Sequence, residues 1–469
     1  MDSEKKKGLG LLDMFTLGFG AIVGVGWSVS LNNIFINGGG PIPAILGFAL
    51  ATACFVPIAL CFAELTPALP KTGGVIVHAG RAFRPSVAFV AGWFVSMAYI
   101  SILPWEAINI TEVVAYIFPA LRSGPILYTL LGHDIYLYTA AAGVALGLIV
   151  FFLNWRGAES SAAFQKGTTF LLIGGSLICV VFALIKCDFS NLRPVYSPIP
   201  GHSHDSFFTG VATMLALAPF YYSGFDTIPQ LAEEAGNVKR ASLGKVIIGT
   251  MAFAGVFYIL IFLSSGLAWP WLETVELERP VLSNLFLRLY PGLLGKVLYA
   301  VCMVATLAGL FSTWNGFFIA GTRLLHGMGR DGLVPQAFFR LHPKYGTPYV
   351  GSIFCGVLML IGPFLGIGLI DPLVTLSSSG YVIGWGLVCL SAARLRRTEP
   401  DLPRPYRMPG GRKTALCGFA ICLLILLNCM LPFLPGYMGT IGMGTFAVWT
   451  ALGVVFFLIR RRDLRAPQP

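Results

Sequence analysis

Two carboxylates stand out because they lie where charge is costly. Glu106 and Glu112 occur in PWEAINITEVVAY, within a long apolar stretch. Ionisable side chains in such surroundings are rare and mark binding sites or ion pathways. Six residues is about 600° around a helix, or about 120° from eclipsed, so the two need not share a face. Glu106 lies deeper; Glu112 lies nearer the outer end. Three roles are open to Glu106: pairing with a cationic group on a small molecule, carrying a proton, or packing against hydroxyl-bearing neighbours. Glu112 is a gating or coupling candidate, or a carboxylate pointing into an outer vestibule.

Two further segments are apolar but locally weakened. LLDMFTLGFGAIVGVGWSVSLNNIF (11–35) carries Gly18, Gly20, Gly24 and Gly26 at its centre. FFTGVATMLALAPFYYSGFDTIPQLAEE (207–234) carries Pro219, Ser223, Gly224, Asp226 and Pro229. Glycine loosens a helix and proline removes a donor. Gly18 and Gly20 read as packing positions, where small residues let helices approach. Gly24, Gly26, Ser223 and Gly224 read as paired helix breaks. A break exposes N–H groups that bind a carboxylate and carbonyls that accept from an ammonium. Asp226 either caps the second half-helix or acts in gating or coupling. Ser312 and Thr313 are the hydroxyls that could line a cation site with first-helix carbonyls.

The elements that must position these groups follow from composition. Of 469 residues, 56% are hydrophobic and 11% charged, against about 25% charged in soluble domains. Apolar runs of roughly 20 residues suffice to cross a bilayer. They fall near 11–36, 42–67, 86–118, 135–153, 158–185, 206–231, 242–268, 292–327, 348–367, 370–393, 414–434 and 438–459, which predicts an all-α integral membrane protein with about twelve spans. With the N-terminus inside, all but six of the 32 basic residues collect on the cytoplasmic side, as the positive-inside rule requires. The exceptions are Arg122, Lys186, Arg193, Arg279, Arg288 and Lys296. Both ends are then cytoplasmic: a short N-terminus (1–10) and a tail (461–469). The net charge of +11 is dispersed in short clusters beside the spans, which argues against a nucleic-acid partner.

Spans one and six are the interrupted ones, and they run in opposite directions. That order predicts two five-helix repeats of inverted topology, about 11–186 and 205–397. A cytoplasmic loop (398–413) and two more helices (414–460) follow. Paired interrupted helices at corresponding positions point to a midplane transport site. Metal, nucleotide and nucleophile signatures (HExxH, GxxxxGK[ST], GxSxG) are absent from the sequence. His202 and His204 fall in a loop, and most of the ten cysteines sit in apolar runs as small buried hydrophobes. No catalytic activity and no cofactor are expected.

Several motifs resemble the amino acid–polyamine–organocation (APC) superfamily. GAIVGVG resembles its first-helix break, and AELTPALPKTGGVIVHAGRAF (63–83) its signature after helix two. NWRGAESSAAFQ (154–165) is similar to its helix 4–5 junction, and FYYSGFDTIPQLAEEAGNVKRA (220–241) to its helix-six signature. GTRLLHGMGRDGLVPQAFFRLHPKYGTP (321–348) and RRTEPDLPRPYRMPG (396–410) resemble its later loops. The resemblance implies a LeuT-like inverted-repeat core and alternating access. It implies that Ile22, Gly24, Val25 and Gly26 supply backbone contacts to substrate from helix one. Phe220, Ser223 and Gly224 do so from helix six, with the ring at 220 as an occluding gate. Trp314 falls where some members place a substrate-facing tryptophan; an ordinary core tryptophan is the equal alternative. Trp27-Ser28 departs from the usual residues after the first break. Leu172 stands where some proton-coupled members carry a lysine, so the driving ion, H+ or Na+, is left open.

The expectation is a secondary transporter of an amino acid or related amine, polyamines included, working by symport or exchange in a plasma or inner membrane. A non-transporting nutrient sensor of the same fold is the alternative. Homo-oligomerisation is left open.

Overall fold

The computed structural model describes residues 8–199, 205–236 and 238–460. Lys5–Lys7, His202, His204, Arg461, Arg462 and Arg465 lie outside them. The helices begin with α1 (Leu11–Ile22), α2 (Leu31–Gly38), α3 (Pro41–Ala68), α4 (Val75–Ala82) and α5 (Pro85–Ile117). A hairpin, β1 (Ile126–Leu130) and β2 (His133–Tyr136), leads into α6 (Leu137–Trp155) and α7 (Ala158–Ile185). The chain continues through α8 (Phe207–Tyr222), a 3-10 turn (Phe225–Leu231), α9 (Arg240–Ala268), α10 (Trp271–Thr274) and α11 (Val281–Leu289). It ends with α12 (Leu293–Arg330), α13 (Tyr349–Ile361), α14 (Ile370–Thr398), α15 (Arg412–Met430) and α16 (Gly439–Arg460).

Nine of the described helices are long and apolar enough to cross a membrane, and two shorter apolar helices include α1. Helices dominate because hydrocarbon offers no partner to an exposed backbone group. Prolines open α3 and α5 at Pro41 and Pro85, where a missing N–H costs nothing. The fourth span starts two residues later than expected, because Ile135 and Tyr136 belong to β2. Leu131 and Gly132 turn the hairpin, both with positive φ, the geometry that matches strand twist.

The expected interruptions are real breaks in the helices. α1 ends at Ile22 and helix resumes only at Leu31. α8 ends at Tyr222; Gly224 has φ +131°, and a Cβ there would lie 2.6 Å from the Ile22 nitrogen. Only glycine fits that crossing. Gly20 is equally constrained: a Cβ would strike the Ser312 hydroxyl and Thr169. α1 packs on α7, α9, α12 and the 3-10 turn, so the two broken segments meet at the centre of the bundle.

Backbone and side-chain pairs join the start of α1 to the stretch after the 3-10 turn and α3 to the loop after α14. The Leu9 N–H donates to the Glu234 carbonyl (2.9 Å), and the Gly236 N–H to the Leu9 carbonyl (3.0 Å). Lys166 meets Asp13 at 2.7 Å and Arg323 meets Glu234 at 2.9 Å. Buried Glu64 is held by Arg396, by Arg404 at 3.3 Å and by the Met408 N–H at 2.9 Å. Beside them α4 is wedged against α5 and α14. Its His78 is fully buried, and neither ring nitrogen has a partner among the described residues.

Candidate functional site

The crossing of the two breaks leaves a small cavity between them. Ile22, Gly24, Val25 and Gly26 line one side, and Phe220, Tyr221 and Ser223 another. α5 contributes Trp105 and Glu106, α9 Tyr258, and α12 Thr313 and Phe317. Eight of the residues expected from sequence therefore converge here: Ile22, Gly24, Val25, Gly26, Glu106, Phe220, Ser223 and Thr313.

The backbone of the first break is open to a ligand. Val23 is the last residue to donate along α1, and Ser28 the next to donate, to Val25. Among the described hydrogen bonds, none is donated by the N–H groups of Gly24, Val25, Gly26 and Trp27. Such clustered donors at a helix break suit an anionic oxygen. The second break is different. The Gly224 N–H already donates to Asp226 Oδ1 at 3.0 Å, and the Tyr99 hydroxyl donates to Oδ2 at 2.8 Å. Asp226 thus sits as a cap, fully buried and outside the cavity lining. The expected carboxylate contact at Gly224 therefore meets an occupied donor.

Carbonyls expected to meet an ammonium are also engaged. The Tyr258 hydroxyl donates to the Ile22 carbonyl (3.0 Å). The Ser223 hydroxyl donates to the Phe220 carbonyl (2.7 Å), and that of Thr313 to the Gly20 carbonyl (3.0 Å). Glu106 is the contrast. It is 1% exposed, and neither carboxylate oxygen has a hydrogen-bond partner among the described residues. A Cβ placed on Gly24 would lie 3.0 Å from its Oε1, so the carboxylate lies close against the first break. Leaving a buried charge without a partner costs several kcal/mol; this site is built to receive one.

Aromatic rings close the remainder. Phe220 meets Trp105 edge to face with centroids 4.9 Å apart, and the Trp105 indole N–H has no partner among the described residues. Trp105, Tyr221, Tyr258 and Phe317 were not anticipated. A tryptophan next to an intramembrane glutamate was the one available signal.

Other expected residues lie elsewhere. Trp314 is fully buried off the lining, with its indole N–H donating to the Leu103 carbonyl at 3.0 Å. Glu112 pairs with Arg122 at 2.7 Å and is partly exposed. The Ser312 hydroxyl accepts from Gln165 Nε2 at 2.8 Å within a network that includes Thr169. Trp27 packs edge-on to Phe257 rather than into the cavity, and the Ser28 hydroxyl meets that of Thr306 at 2.6 Å. Leu172 touches the line where Gly309 passes the Gly24 carbonyl.

Comparison with known proteins places these features in context. Residues 9–458 match the model of a family described as amino acid permease. The branched-chain amino acid permease BcaP of Bacillus subtilis (strain 168) is 26% identical over 486 residues, covering 100% of this chain and 96% of that one. An aspartate-proton symporter of the same organism is 25% identical over 416 residues, covering 86% and 76%. Human cationic amino acid transporter 4 is 28% identical over 428 residues, covering 86% of this chain and 62% of that one.

Proposed function

Because this chain belongs to the amino acid permease family, within the APC superfamily, we propose that it carries an amino acid across the membrane by alternating access around the cavity between its two breaks. In this reading the core is two inverted five-helix repeats (about 11–186 and 205–397), with helices 414–460 outside it. That makes twelve spans, with both termini cytoplasmic and the chain in a plasma or inner membrane. The substrate carboxylate docks on the Gly24–Gly26 N–H groups, and its ammonium pairs with Glu106. One observation carries this: a buried carboxylate with two unpartnered oxygens stands beside unpartnered backbone donors in one cavity. A zwitterion satisfies both at once, which neither a pure anion nor an apolar solute does.

The relatives' names span branched, acidic and cationic substrates, so they do not choose a side chain. The aromatic walls favour an apolar or extended one. A sodium site formed by Ser312, Thr313 and first-helix carbonyls finds its oxygens already engaged. No chemical conversion is part of this reading. The relatives named are transporters, and nothing in the cavity favours a sensor.

The test is counterflow. Purified protein is screened for thermal stabilisation by amino acids, and stabilising compounds are then offered, labelled, to proteoliposomes preloaded with the unlabelled compound. The expected result is accumulation that disappears in Glu106→Gln. Stabilisation without accumulation would establish the sensor, and undiminished accumulation in Glu106→Gln would remove Glu106 from the site.

A further inference from the structure

We propose that the substrate ammonium and a proton contest the same place, the carboxylate of Glu106, so that each substrate entering the cavity displaces one proton and the carrier exchanges amino acid for H+. This deepens the reading above and rests on its placing the ammonium at Glu106.

No lysine, arginine or histidine lines the cavity. The lysines and arginines on neighbouring elements lie outside the lining, and the tyrosines and acids there have contacts of their own. Tyr258 of α9 donates to Ile22 and Tyr221 of α8 lines the wall. The Tyr381 ring of α14 packs at a tilt against those of Tyr99 and Trp385. Asp226 holds Gly224 and Tyr99. On α5 itself, Glu112 is paired with Arg122. On α1, Asp13 is paired with Lys166 at the far end, and on α12 Arg323 is paired with Glu234. Among the described residues, therefore, no cation or hydrogen-bond donor neutralises Glu106.

An uncompensated charge in a membrane interior is expensive enough to block a conformational change that keeps it buried. Two occupants remove that obstacle. One is a proton on the carboxyl oxygen; the other is the substrate's ammonium. They exclude each other, because a protonated carboxyl no longer offers an anion and an ammonium bound at both oxygens leaves no site for the proton. The empty carrier crosses as the acid and the loaded carrier crosses as the ion pair. When the substrate binds, the carboxyl proton leaves to the adjoining solution and the ammonium keeps its own three protons, so atoms and charge balance. The substrate carboxylate rests on backbone donors, so the exchange of a net-neutral amino acid for a proton moves one charge per cycle. A proton gradient directed inward then drives amino acid out.

Calorimetry on the full-length protein in detergent, at pH 7 in phosphate and in Tris, measures the proton directly. Leucine, lysine and aspartate are the probes. The binding enthalpy should differ between the two buffers by close to the difference between their ionisation enthalpies, meaning one proton released per ligand. Where the carboxyl is protonated, Kd should weaken about tenfold per unit fall in pH. In proteoliposomes, acidifying the outside should accelerate efflux of the bound probe, and an enclosed pH dye should report acidification in step with it.

The outcomes separate cleanly. Binding with no proton released, or substrate and proton entering together, overturns the contest. It leaves the ammonium at Glu106 standing if Glu106→Gln weakens binding. Unchanged affinity in a Glu106→Gln protein that melts like wild type overturns both. If none of the three probes binds, the amino acid reading fails and this inference fails with it.

Discussion

Acidification should loosen α4 through one side chain, His78. This histidine is fully buried, its ring nitrogens have no partner among the described residues, and Phe62 meets its ring edge-on with centroids 6.0 Å apart. Among the described residues no carboxylate meets the ring, so no anion compensates an imidazolium. Burial accordingly pushes the pKa down to about 3 from an ordinary 6.5. A histidine whose pKa falls on packing leaves the packed form with fewer protons than the open one. Stability from this contact is therefore complete above pH 6.5 and declines as pH falls from there toward 3. At pH 5 the loss is 1.5 pH units, about 2 kcal/mol or roughly 30-fold in the opening equilibrium. Hydrogen exchange of the 75–82 amides, corrected for the intrinsic effect of pH on exchange, reads that equilibrium. Wild type should lose about 30-fold protection between pH 7.5 and pH 5. His78→Leu should lose none of it, since an apolar side chain forfeits no hydrogen bond there. Equal pH dependence in both proteins would show that His78 is not the titrating group, and the burial argument would be wrong.

Three other perturbations separate binding from scaffold. Gly24→Ala places a methyl 3.0 Å from Glu106 Oε1 and 3.1 Å from Thr313 Oγ1; overpacking of 1–3 kcal/mol should weaken substrate Kd about tenfold by calorimetry. Asp226→Ala strips the Gly224 N–H and the Tyr99 hydroxyl of their acceptor. It should destabilise by about 2–4 kcal/mol and lower the melting temperature, and Asp226→Asn, which retains an acceptor, should recover most of the loss. Trp314→Phe removes one hydrogen bond to Leu103, so it should cost about 1 kcal/mol with substrate Kd unchanged; a shift in substrate preference would place Trp314 at the cavity after all.

Much of this molecule was legible in its residues, and the illegible part has physical reasons. Hydrocarbon enforces helices, so apolar length located the long helices to within a few residues. Glycine pairs and prolines marked Gly24, Gly26 and Ser223–Gly224, because a break needs residues that tolerate it. Glu106 was visible because charge in an apolar run is conspicuous. The hairpin was not visible: Leu131-Gly132 lacks the Asn-Gly or Asp-Gly signature of such turns. Tyr258 and Tyr221 were missed because a tyrosine in a helix looks the same whether it faces lipid or a ligand. The unequal chemistry of the two breaks was the hardest to foresee. It depends on where Tyr99, outside every stretch that sequence singles out, aims its hydroxyl, and on Asp226 bending back to Gly224.

The two-way backbone bridge at Leu9 has a mechanical consequence. Its hydrogen bonds join the start of α1 to the strand-like stretch after the 3-10 turn, and they involve no side chain. The first half of one broken helix and the second half of the other are thus yoked like a drawbar to a cart: pulling one drags the other. Side-chain substitution at Leu9 or Ala235 leaves the coupling in place, whereas shifting the register by one residue between Gly8 and Leu11 disconnects it.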